Sequence, residues 1–71
     1  MKSAATALAQ VQERVRDRLR GRIHHFRVEL HDCGLVLQGR AQSFFVKQLA
    51  QHAVMDATGV PILRNDIEVS Y

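Results

Sequence analysis

Ser43–Val60 reads SFFVKQLAQHAVMDATGV, and its reading decides the fold. The stretch has the start and stop signals of one helix, about 43–58. The Ser43 hydroxyl can accept from a free backbone N–H of the first turn. Gly59 offers the left-handed backbone that often ends a helix. Between them, Val46, Leu49, Ala50, Ala53, Val54 and Ala57 fall on one face at about 100° per residue. Small and medium side chains let that face approach its partner closely. A sheet is the expected partner, because three strand-like runs surround the helix in the chain.

Upstream, a first helix is predicted over about 4–20 from Leu8, Val11, Val15 and Leu19, spaced by threes and fours. Gly21 marks its end. Ile23 to Leu30 then alternates, with Phe26, Val28 and Leu30 to one side and Arg27, Glu29 and His31 to the other, as in a half-buried strand of about 24–31. Asp32-Cys33-Gly34 is a turn in which Gly34 is free to take positive φ. Leu35-Val36-Leu37 opens a second strand, about 35–40, and the two strands form an antiparallel hairpin. Gly39 lies mid-strand, where a missing side chain lets a neighbouring element come close. Downstream, Pro61 cannot donate to a ladder and should open the last strand, about 62–70. Asn65-Asp66 interrupts its alternation in the manner of a bulge. The expected fold is α+β, ordered α-β-β-α-β, with two helices packed on one face of a three-stranded sheet. One domain spans 1–71, and the pattern does not say which strand is central.

A chain of 71 residues buries only a modest core, so an oligomer or a larger parent protein is in keeping with its size. A hydrophobic share of 46% with 24% charged residues argues against disorder. No apolar run approaches the roughly 18 residues of a membrane span. MKSAATALAQVQERV has one Lys but no apolar core of about 7–15 residues behind it, so it does not read as a signal peptide. The net charge of +3 favours an anionic partner, yet it is far from the dense basic tail of a dedicated nucleic-acid binder. Cys33 is the only cysteine, which excludes an intrachain disulfide.

Several segments together resemble the BON domain, a small bacterial module. They are the alternating strand and turn Val28 to Gly34; Leu35-Val36-Leu37-Gln38-Gly39-Arg40-Ala41, with its Gly two positions after a Leu; and Ser43, Lys47, Ala50 and Ala53-Val54 in the second helix. Gly59-Val60 at the helix end, and Asn65, Ile67 and Val69 in the last strand, complete the match over about residues 11–70. Each motif is weak alone, and their order and spacing carry the resemblance. Three features depart from the family pattern: the N-terminal stretch does not read as the leader that family members often carry, which leaves a cytoplasmic location open; Pro61 follows the Gly-Val; and Phe44-Phe45 is more apolar than the usual start of that helix. The resemblance implies a non-catalytic binding module of the periplasm or cell envelope that contacts phospholipid or other envelope components. It implies no catalytic residues and no cofactor.

Four constellations could carry function. Arg14 and Arg18 border one side of the first helix's apolar stripe, and Arg16 and Arg20 the other, with Glu13 and Asp17 behind. A helix built this way can lie on an anionic bilayer, its stems snorkelling and its heads on phosphates. The same stripe must also cover the sheet, and the arginines then merely border the core. Phe44 and Met55 fall together opposite the core stripe of the second helix, about 16 Å apart along its axis, as a partner or membrane contact would. Their structural alternative is Phe44 folded on the hairpin and Met55 as an isolated surface residue. His24, His25, His31, Cys33 and His52 lack the four-ligand spacing of a structural zinc site, so no metal is assigned. Cys33 with His31 lacks the third group and the oxyanion donor of a nucleophilic centre, so no catalytic residue is assigned either. The glycines at 21, 34, 39 and 59 include no Gly-x-x-Gly pair, and the strands show no aromatic platform, which argues against nucleic acid. The expected partner is therefore an anionic phospholipid surface. The alternative is a protein partner, a second copy included, met through Phe44, Met55 and an exposed strand edge.

Overall fold

A computed structural model describes residues 4–70. Residues 1–3 and 71, which belong to the expected 1–71 span, lie outside the described residues. The order is α1 (Ala4–Arg18), β1 (Ile23–His31), β2 (Gly34–Ala41), α2 (Phe44–Ala57), β3 (Ile62–Asn65) and β4 (Glu68–Val69). The fold is the expected α+β arrangement of two helices and a sheet. β2 is central: β1 pairs with it antiparallel, and β3 and β4 pair with it in parallel along its other side. β3 and β4 are thus two pieces of the one edge strand read from the sequence, separated at Asp66-Ile67.

The core forms where the helices cover this sheet. Val11, Val15 and Leu19 of α1 and its end, and Val46, Ala50, Ala53 and Val54 of α2, bury against Phe26, Val28, Leu35, Leu37 and Ile67. Each of the larger aliphatic side chains contributes about 1.5–3 kcal/mol by leaving water. Leu49 and Ala57 are only partly buried at the borders of the α2 stripe. Val36, although 2% exposed, belongs to the other face of the sheet. Its register neighbours there are Glu29 on β1 and Arg64 on β3.

Ser43 caps α2 as expected: it is extended, and its Oγ accepts from Val46 N at 3.2 Å. Pro61 stands just before β3 and gives its carbonyl to Leu35 N at 2.8 Å. Two glycine expectations need correction. Gly59 does not adopt positive φ; α2 ends on extended Thr58, whose N–H still reaches Val54 O and whose hydroxyl accepts from Val60 N. Gly34 does not adopt it either; the hairpin turn places Asp32 there, at φ +52. Gly34 is required by space, because a Cβ would meet the Leu63 side chain lying over it.

β1 also departs from simple alternation. Ile23 and Phe26 both face the core although they are three apart. A bulge at His24-His25, with His25 at φ +55, inserts the extra residue that makes this possible. Gly39 sits opposite at φ +150, and a Cβ there would lie 3.1 Å from His24 O and from Phe26 Cα. The expected close approach at Gly39 is therefore made by β1 itself.

Candidate binding surface

The turn after α1 and the start of α2 meet at one end of the molecule. Gly21, at φ +80, turns the chain after Leu19. Gln42 then ties the two segments together, its N donating to Arg22 O and its Nε2 to Gly21 O, each at 3.4 Å. Phe44 and Phe45 follow on the first turn of α2, 58% and 63% exposed. Arg20 and Arg22 flank Gly21 at this end, and Arg22 lines a small cleft with Leu49 and His52, one and two turns along α2 from Phe45. The arrangement is an aromatic pair beside a cationic turn.

The arginines of α1 do not form one surface. Val15, between them, is fully buried, so they emerge on opposite sides of a helix whose apolar stripe is already used. Arg16 Nη2 donates to Phe26 O at 3.1 Å, along the outer edge of β1. One turn earlier Gln12 Oε1 accepts from Val28 N at 3.0 Å on the same edge. Arg18 leans the other way, to Asp56 of α2 at 3.4 Å, and Arg14 lines the groove between α1 and the end of α2 with Ala57 and Thr58. Arg20 pairs with Asp17 at 3.3 Å and remains largely in solvent.

Of the residues singled out from the sequence, Arg20 and Phe44 come to the same end. Arg14 and Arg18 face the α2 side, and Arg16 lies on the β1 edge. Met55 is 54% exposed but three turns along α2, toward the opposite end. The sequence reading gave Phe45 and Arg22 no role. Phe45 lies on the α1 side of α2, between its buried and outward faces, and its neighbour was the stronger signal. Arg22 follows the helix, where a helical wheel says nothing.

The opposite end is apolar. Leu30, 48% exposed, and Val60 line a cleft of about 110 Å³ with Leu8, Val11, Leu35 and Thr58, between the start of α1 and the end of α2. Around the buried Val36 the uncovered face of the sheet is polar and carries exposed pairs: His31 with Glu29 at 3.7 Å along β1, Arg40 with Glu68 at 3.8 Å between β2 and β4, and Arg64 with Asp66 at 3.2 Å. Cys33 is exposed on the hairpin turn. Among the described residues no three His, Cys, Asp or Glu side chains gather as metal ligands would. No described helix is long and apolar enough to cross a membrane. No family model matches the chain, and no curated protein or solved structure matches it either.

Proposed function

We propose that this chain is a non-enzymatic, BON-like binding module that meets an anionic phospholipid surface with one end of the molecule. The observation that carries the reading is the adjacent pair Phe44-Phe45, both more than half exposed, beside the Arg20-Gly21-Arg22 turn. Two aromatic rings at a loop-to-helix junction are costly to leave in water, worth about 1.5–3 kcal/mol each on full burial. Guanidinium groups near an anionic leaflet add about 1 kcal/mol apiece. Together these terms give weak, reversible, salt-sensitive attachment. This mode leaves the core intact, whereas laying α1 flat on a bilayer would need its buried stripe. The BON resemblance supplies the setting, a bacterial envelope.

The test is cosedimentation with vesicles of phosphatidylcholine alone or with 30% phosphatidylglycerol. The expected result is pelleting with the anionic vesicles only, lost in Phe44→Ser/Phe45→Ser and weakened in Arg20→Ala/Arg22→Ala. Equal pelleting with neutral vesicles, or a Phe44→Ser/Phe45→Ser variant that still pellets, overturns the reading. A second reading, a protein-interaction or self-association module, is favoured by the apolar cleft of Leu30 and Val60 at the other end. It predicts a concentration-dependent dimer that Leu30→Ser weakens and Phe44→Ser does not.

A further inference from the structure

The uncovered face of the sheet holds a shallow cleft of about 320 Å³ at the β1 bulge, lined by His25, Arg27, Gln38, Gly39, Arg40 and Glu68. The bulge makes the cleft. It holds His25 in the left-handed region at φ +55, a conformation that non-glycine residues seldom take and that concentrates at binding sites. It also brings β1 down onto Gly39, which leaves the floor without a side chain.

Two guanidinium groups share this cleft. Arg27 pairs in register with Gln38, and Arg40 stands two residues further along the same face of β2. The Arg27 guanidinium has no hydrogen bond or ion pair among the described residues. The nearby Glu29 carboxylate is turned to His31 instead, at 3.7 Å. Arg40 has only Glu68, at 3.8 Å, with both side chains more than half exposed. That separation is too long for a hydrogen bond and contributes little in water. The cleft therefore holds two like charges on diagonal positions against a single loosely held carboxylate.

We infer that the cleft binds a phosphoryl group, with Arg27 and Arg40 donating to its oxygens and the Gln38 amide and the His25 imidazole completing the ring of donors. Guanidinium forks match the tetrahedral oxyanion, and its negative charge removes the repulsion between them. Free phosphate and a lipid headgroup present the same chemistry. The inference does not rest on the phospholipid reading, because the cleft lies on the face away from the helices and Phe44-Phe45 is not part of it.

The test is a two-dimensional amide NMR titration of the full chain with inorganic phosphate, against sodium chloride at matched ionic strength. Saturable shifts at Arg27 Nε–H, Gln38 and Gly39 are expected. Arg27→Gln and Arg40→Gln should each weaken the apparent Kd more than fivefold, while Glu68→Gln tightens it. Both arginines are exposed, and the spread of the remaining signals reports whether each variant is folded. Non-saturating shifts, or a folded Arg27→Gln chain that titrates like the wild type, overturn the site. Vesicles containing phosphatidic acid then identify the source. Binding lost in Arg27→Gln/Arg40→Gln assigns the site to a headgroup. Vesicle binding that persists, or that is absent already in the wild type, alongside phosphate binding that needs both arginines, assigns it to a soluble phosphate.

Discussion

Asn65 and Gly39 hold positions that no other type fills equally well, and Gly59 does not. Asn65 is the most connected: its Nδ2 donates to Lys47 O at 3.1 Å and to Gln51 Oε1 at 3.3 Å, and its Oδ1 accepts from Ile67 N at 3.2 Å. It bridges the break between β3 and β4 and pins that break to α2. Asn65→Asp keeps the acceptor but removes the amide donors, and should cost about 1–3 kcal/mol in urea unfolding. The two glycines at 39 and 59 predict opposite outcomes. Gly39→Ala combines a left-handed φ with a Cβ pressed against β1 backbone, and should lower stability by about 1–3 kcal/mol. Gly59→Ala meets open space at an ordinary φ, and should leave stability unchanged or raise it by about 0.4–1 kcal/mol through the unfolded chain. A Gly59→Ala variant as damaged as Gly39→Ala would contradict the extended end of α2.

At the scale of elements, the two edges of the sheet are protected by different means. β1 is closed by a helix: Gln12 and Arg16, one turn apart on α1, satisfy Val28 N and Phe26 O, which a second strand would otherwise pair with. β3 and β4 instead form a short, broken edge, preceded by Pro61 and carrying the Arg64–Asp66 pair. The Gln12→Ala/Arg16→Ala double variant should therefore stay folded but associate with increasing concentration in sedimentation velocity. Each single variant should lose about 1 kcal/mol. A monomeric double variant would mean that the edge is protected without these side chains. This level also shows what was legible in the sequence. The helical stripes were readable because burial repeats at a fixed period along each of them. The bulge was not, since Phe26 and Val28 follow one alternation, one histidine before Phe26 would have kept Ile23 in it, and the slip made by the second depends on Gly39 across the hairpin. The division of labour among the arginines was equally hidden. A helical wheel places Arg16 and Arg18 on opposite flanks but cannot say that one flank meets a strand edge and the other a carboxylate.

Across the whole molecule, charge and stability are nearly uncoupled. Every ion pair described lies at the surface, from Arg18–Asp56 through Arg64–Asp66, with the least exposed partner, Glu29, still 39% accessible. Exposed pairs contribute about 0–1 kcal/mol each, and salt screens them further. The core that resists unfolding is apolar, and none of its members is charged. The unfolding free energy from urea titration should therefore change by less than about 1 kcal/mol between about 0.05 and 0.5 M NaCl, and the midpoint should stay nearly flat. Binding to an anionic surface must behave differently, because the cations at the Phe44-Phe45 end gain their energy only from that surface's field, which decays within a Debye length of about 10 Å at 0.1 M salt. Vesicle cosedimentation should fall steeply over the salt range in which the urea midpoint stays flat. If both fell together, the loss of binding would reflect unfolding and the charges would have no separate role. If neither fell, apolar insertion of the aromatic pair alone would account for attachment, and Arg20→Ala/Arg22→Ala should then bind anionic vesicles as the wild type does.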